Sequence, residues 1–204
     1  MALLFAKNNS LSAVTALPAS ISGGALTLLQ TQTASSSSTI DFTSNIDSTY
    51  KEYIFKLVDI HLATDQANLT FQADTGTNTN YNQTVTSSYF RANHTEDDGT
   101  ANLSIDTSRD QSQGTGFIEI ISDLTDDNDS GSSGTINLFD PSSSVFVKHF
   151  ICITNAHHHN PGTNVSRNMF IGGYFNTTTA LTRIRFKASS GNIDSGTFKM
   201  YGVT

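Results

Sequence analysis

The chain has 204 residues and a net charge of −7, with a sequence pI near 5.1, and its 11 Lys and Arg are scattered without forming a stripe. Binding by phosphate neutralisation is therefore not expected, which argues against nucleic acid as a partner. No apolar stretch approaches the ~20 residues of a membrane helix, so membrane insertion is not expected, and "MALLFAKNNS" reads as too short and too poor in leading basic residues for a secretory signal.

Ser and Thr make up about a quarter of the chain. Charged residues are 14 %, against a usual ~25 %. With 13 Phe and 6 Tyr the chain has the apolar bulk to fold, and at this length it buries about 70 % of its surface without needing a disulfide or a metal. Cys152 is the only cysteine and follows Phe150 and Ile151, so it is expected to pack as a small buried hydrophobe.

Residues 1–24 differ in character from the rest of the chain. Leu3, Leu4, Phe5, Val14, Leu17 and Ile21 are too apolar for a solvated tail, and the segment ends at Gly23-Gly24. It is expected to be an attachment arm that docks on a neighbouring protein; the plainer alternative is a flexible leader. Residues 25–204 are expected to form one β-sandwich domain.

From residue 25 on, period-two alternation recurs and helical spacing is nearly absent. In "YKEYIFKLVD" the residues Tyr53, Phe55 and Leu57 share one face, with Glu52, Ile54 and Lys56 on the other. Similar strands are read at Leu69, Phe71 and Ala73, at Phe117 to Ile121, and at Ile136 and Leu138. "SVFVKHFICIT" comes next, with Val145, Val147, Ile151 and Ile153 as its apolar positions. Further strands run from Met169 to Phe175, from Leu181 to Ala188 and through Phe198 and Met200, the last group reading as strand, turn, strand, turn, strand with Gly191 and Gly196 at positive φ. Weaker strand signals lie in "GALTLLQ", "TIDFTS", "QTVTSSYFRA" and "ANLSI". About ten to twelve short strands between Gly, Asn, Asp and Ser clusters suit an all-β sandwich or barrel. A jelly-roll-like two-sheet β-sandwich of ~8 core strands plus extras fits best.

Candidate chemistry is sparse. Asp126, Asn128, Ser130 and Gly131 match early positions of a calcium loop, but Asn137 stands where the bidentate Glu belongs, so Asp126 to Asp129 read as a solvated acidic turn, with a weak non-helical calcium site as the alternative. Glu96, Asp97 and Asp98 read the same way. Glu52 and Glu119 sit on strands among outward residues, and no pair of carboxylates in an apolar cleft is evident. "TNAHHHNPG" places His157, His158 and His159 side by side. Adjacent side chains of an extended segment point to opposite sides, so the three cannot converge on one ion, and a polar loop is expected. Two metal alternatives stay open: His157 and His159 with His61, His94 or His149 as a third ligand, or a site shared around a symmetry axis. His149 reads equally well as a hydrogen-bonded, half-buried residue. No catalytic, cofactor-binding or metal residue is assigned, and no cofactor is expected.

"STYKEYIFKLVDIHLATD" (Ser48 to Asp65), "PSSSVFVKHF" (Pro141 to Phe150), "GGYFNTTTALTRIRFK" (Gly172 to Lys187) and "SSGNIDSGTFKMYGV" (Ser189 to Val203) resemble a family of virion structural proteins, often called tail-fibre-like, in marine tailed bacteriophages. Members commonly read His-Pro-Ala-Thr-Asp where this chain has His61-Leu62-Ala63-Thr64-Asp65, and the family supplies no catalytic residues. The resemblance implies an assembly role. The resulting expectation is a non-enzymatic virion component, assembled in the bacterial host cytoplasm as a homotrimer. Its arm would bind capsid or tail proteins, its loops would meet a host glycan or receptor, and it would serve as a short fibre or as capsid decoration. The rival is a carbohydrate-binding module. Such modules usually expose Trp, which is absent here, leaving Tyr81, Tyr89 and Tyr174 as substitutes.

Overall fold

Period-two alternation and Gly- or Asn-rich turns give thirteen strands and no helix among the described residues. A computed structural model describes residues 25–160 and 163–203, except the side chains of residues 159 and 160. The expected attachment arm, residues 1–24, lies outside the described residues.

In chain order the strands are β1 (Leu26–Ser37), β2 (Ile40–Phe42), β3 (Glu52–Leu62), β4 (Ala67–Thr75), β5 (Val85–Thr95), β6 (Ala101–Ile105) and β7 (Ser112–Gly114). They continue with β8 (Ile118–Leu124), β9 (Ser132–Phe139), β10 (Lys148–Asn160), β11 (Thr163–Phe175), β12 (Leu181–Ala188) and β13 (Ile193–Val203). A nine-stranded sheet has the order β1-β13-β3-β9-β10-β11-β5-β6 with β7 on β5, and a four-stranded sheet has the order β2-β12-β4-β8. The two antiparallel sheets pack as a sandwich.

Eight of the strands follow a jelly-roll path. β1 pairs with β13, β2 with β12, β3 with β9 and β4 with β8, so the first strand of the eight meets the last, the second meets the seventh, and so on inward. The β13–β3 and β12–β4 ladders join these nested pairs into the double Greek key that the strand count suggested. The other strands are insertions. β5, β6 and β7 come between β4 and β8, β10 and β11 between β9 and β12, and together they extend the large sheet beyond β9.

The core lies between the sheets. Tyr53, Phe55 and Leu57 are buried as their alternation predicts, and so are Leu69, Phe71, Ala73, Phe198 and Met200. Phenylalanine rings join the layers: Phe42 meets Phe55 at 5.3 Å, Phe71 meets Phe150 at 5.2 Å and Phe186 meets Phe198 at 5.1 Å. Such pairs contribute ~0.5–1.5 kcal/mol each beyond area burial.

Two expectations change. The last three strands do follow one another as strand, turn, strand, turn, strand, but they are not neighbours in one sheet, because a jelly roll sends successive strands to opposite sheets: β11 and β13 lie in the large sheet and β12 in the small one. Gly191 takes φ 67° in a turn, but Gly196, at φ 127°, sits inside β13, where pairing with β3 shifts register. A Cβ on Gly196 would lie 2.9 Å from the Ile60 Cα.

The second change concerns "SVFVKHFICIT". Its strand begins only at Lys148, and Phe150, Cys152 and Thr154 face the core, while Ile151 is 51 % and Ile153 47 % exposed. The run is apolar at both parities, so alternation could not choose its inner face. Lys148 is the unexpected inward residue. Its Nζ donates to the carbonyls of Phe146 at 2.8 Å and Thr177 at 3.0 Å, and burial lowers its pKa.

Candidate assembly surface

The histidine stretch is not a loop. It continues β10 and pairs with β11, His157 opposite Ser166, His158 opposite Val165 and Asn160 opposite Thr163. A polar segment can hold strand geometry when a neighbouring strand satisfies its backbone, and here the ladder runs up to residues 161–162, which lie outside the described residues. The alternation argument does hold. His157 contacts Ser130 Oγ through Nδ1 at 2.7 Å, with Nε2 3.9 Å from Glu96 Oε1. His158 points to the other side, where its Nδ1–H donates to the carbonyl of Asp123. Burial, followed by the Arg167 charge, pushes the His158 pKa down. The His159 side chain lies outside the described residues.

The other histidines are dispersed. His61 contacts the Asp127 carbonyl at 3.1 Å, and His94 contacts Asp98 at 3.1 Å. His149 is exposed beside the Tyr174 ring at 5.9 Å, not half-buried. No cluster of three or more His, Cys, Asp or Glu able to hold a metal occurs among the described residues. Asp126 to Asp129 lie in the segment joining β8 to β9, and Asp97 accepts the Gly99 N–H at 2.9 Å in the β5–β6 turn. The Cys152 thiol is fully buried, which pushes its pKa far above the thiol range.

The sequence reading missed an ion network on the inner side of the extension. Asp123, at φ 53° in β8, accepts from Arg109 Nη2 at 2.9 and 3.0 Å and from Arg167 Nη1 at 2.7 Å, and Arg91 Nη1 lies 3.6 Å away. Arg109 also pairs with Glu119 and, through Nε at 3.1 Å, with Asp106. Glu119 therefore does not look out into solvent as expected. Burial acts to lower the Arg109 pKa, but Asp123 and Glu119 outweigh it and raise the value. The available signal was parity: Arg167 shares its strand face with the apolar Val165, Met169 and Ile171.

The network ties β5, β8 and β11 together below the sheet, where β8 also packs under β10 and β11. Thr154 Oγ1 donates to the Ile120 carbonyl at 2.5 Å, and Tyr89 Oη donates to Ser122 Oγ at 3.0 Å. Tyr89 and Tyr81 are both buried, so neither can serve as an exposed sugar platform.

The outer face of the extension is the reverse of the inner one. Register aligns Ile105, Phe90, Phe170 and Ile153 in one row across β6, β5, β11 and β10. Leu103 is 71 % and Ile105 74 % exposed, and Phe90 and Phe170 stack at 5.0 Å with planes 8° apart. From His149 to His157 and on the paired strands, the residues on this side include no Asp, Glu, Lys or Arg. A depression of about 250 Å³ opens between Ser88, Phe90, Ile151, Ile153, Phe170 and Gly172.

Two adjacent glycines stand in different situations there. A Cβ on Gly173 would lie 2.6 Å from the Thr86 carbonyl oxygen and 2.7 Å from Phe150 Cζ, so the fold needs glycine at that position. A Cβ on Gly172 would meet nothing within 4 Å. This arrangement can bind by apolar contact and shape. Comparison with family models, curated proteins and solved structures finds no match to the chain.

Proposed function

We propose that the chain is a non-enzymatic structural component of a bacteriophage virion, a short fibre or appendage subunit or a capsid decoration protein. The observation that carries this reading is the reversed polarity of the sheet extension, with arginines and carboxylates turned in and aliphatic and aromatic side chains turned out. An apolar patch of this kind on a folded domain marks a surface that works by being covered. The jelly-roll path supports the same reading, being an architecture of capsid domains among others, and so does the likeness of the blocks between Ser48 and Val203 to virion structural proteins. In this proposal residues 1–24 attach the chain to capsid or tail proteins, three copies assemble, and loops contact a host glycan or receptor.

The test is quantitative mass spectrometry of phage particles purified by density gradient from a lysate in which the chain is made. The expected result is recovery with the particles, at a ratio near that of the major capsid protein for decoration and at a few copies per particle for a fibre. Deleting residues 1–24 should abolish recovery while leaving the far-UV circular dichroism unchanged. A full-length chain that stays in the soluble fraction sinks the virion reading. Saturable glycan binding by the monomeric chain would put a carbohydrate-binding module in its place.

A further inference from the structure

We propose that the outer face of β10, β11, β5 and β6 is the contact between copies of this chain, and that the partner's surface closes over Gly172. The inference deepens the assembly reading by naming its partner and its surface.

Charge argues for a second copy. The chain carries −7, so two copies repel wherever both present carboxylates. They meet with least penalty through a face poor in ions: the outward positions of β10, β11, β5 and β6 carry no Asp, Glu, Lys or Arg, and carboxylates stand only at the margin, Glu96 beside His157 and Asp98 beside His94. A partner of different chemistry is usually selected by complementary charge, and the middle of this face offers none to select by.

The dimensions suit the centre of such a contact. Three strands ~4.8 Å apart, with about nine residues of each at ~3.4 Å apiece, and the five-residue β6 present on the order of 500 Å². A standard interface takes ~800 Å² from each partner, so this face supplies its apolar middle and the surrounding surface the remainder. Asn155, Asn168 and Ser88 border the apolar row on neighbouring outward positions and supply the polar rim that such an interface carries.

Gly172 supplies the third line of argument. Glycine weakens a strand interior, and a glycine there often marks a place where another chain comes close. Nothing inside this protomer crowds position 172, unlike position 173, so the fold itself gives no reason for the missing side chain. The depression it leaves, walled by the Phe90–Phe170 stack on one side and Ile151 and Ile153 on the other, can receive a side chain of the facing copy.

The experiment is sedimentation equilibrium of the full chain from low to high micromolar concentration, with Phe170→Asp, Gly172→Leu and Thr31→Asp compared. Thr31 lies on the same side of the sheet, at its far edge, and serves as the control. Wild type and Thr31→Asp should self-associate, and the other two should associate ~10-fold more weakly or worse with unchanged melting temperatures. If Phe170→Asp disturbs folding, Gly172→Leu decides, since its side chain enters open space. A wild-type chain that is monomeric throughout, or a Gly172→Leu chain that associates like wild type, overturns the inference. A monomer that still enters purified particles leaves the virion reading standing without this one. An oligomer held by this face that never enters particles does the opposite.

Discussion

Two neighbouring glycines in "IGGYF" look alike in the sequence and have opposite roles in the structure. Gly172→Ala should stabilise the protomer by about 0.5–1 kcal/mol, because an alanine there loses less chain entropy and touches nothing. Gly173→Ala should destabilise it by ~2 kcal/mol or more, since its methyl group would press on the Thr86 carbonyl and the Phe150 ring. Thermal melts of the two variants at a concentration where the chain is monomeric check both signs. His158 offers a pH test. Its folded pKa lies below the ordinary 6.5, so as pH falls through 6.5 the unfolded chain takes up a proton that the folded chain resists. Stability should be flat above that pH and decline below it, and His158→Asn should remove part of the decline. Parallel curves for wild type and variant would refute the assignment. The burial of Cys152 was legible from its apolar neighbours. The difference between Gly172 and Gly173 was not, because it depends on which atoms of β5 and β10 come to lie beside each glycine.

At the level of elements, strands with one clean apolar parity were placed correctly, β3 and β4 above all. β10 was misread twice, and for related reasons. Its apolar residues occupy both parities, which conceals the inner face, and its polar histidines imitate a loop although β11 pairs with them to the tip. The inner ion network was also hidden, since Arg91, Arg109, Arg167, Asp106, Glu119 and Asp123 are spread over 77 positions and only the insertions bring them together. Asp123→Ala should cost about 1–3 kcal/mol, as it leaves Arg167 without its carboxylate partner and Arg109 with only Asp106 and Glu119. Hydrogen exchange should then show early loss of protection in β5 and β11 while β12, on the other sheet, stays protected. Uniform loss across both sheets would mean that the network does not specifically secure the extension.

On the scale of the whole molecule, the jelly roll was within reach of the sequence because eight alternating strands with one buried face each leave few ways to share a core. The extension was not, since nothing in a strand's own residues tells it to join an existing sheet edge beyond β9 instead of starting a third layer. The chain's path also has a mechanical consequence. Leu26 at the start of β1 lies directly opposite Val203 at the end of β13, and that row of pairs crosses Glu52 and Phe139 to reach the beginning of β10. The tip of the β10–β11 hairpin is more than ten residues further along, so it stands roughly 35 Å away at the other pole. Tension between the two ends of the described chain would therefore peel β1 from β13 one hydrogen bond at a time, as a zip opens. Tension between residue 25 and the hairpin tip would instead load the ladders lengthwise and all at once. The molecule is easily unfastened by one direction of pull and stiff against the other.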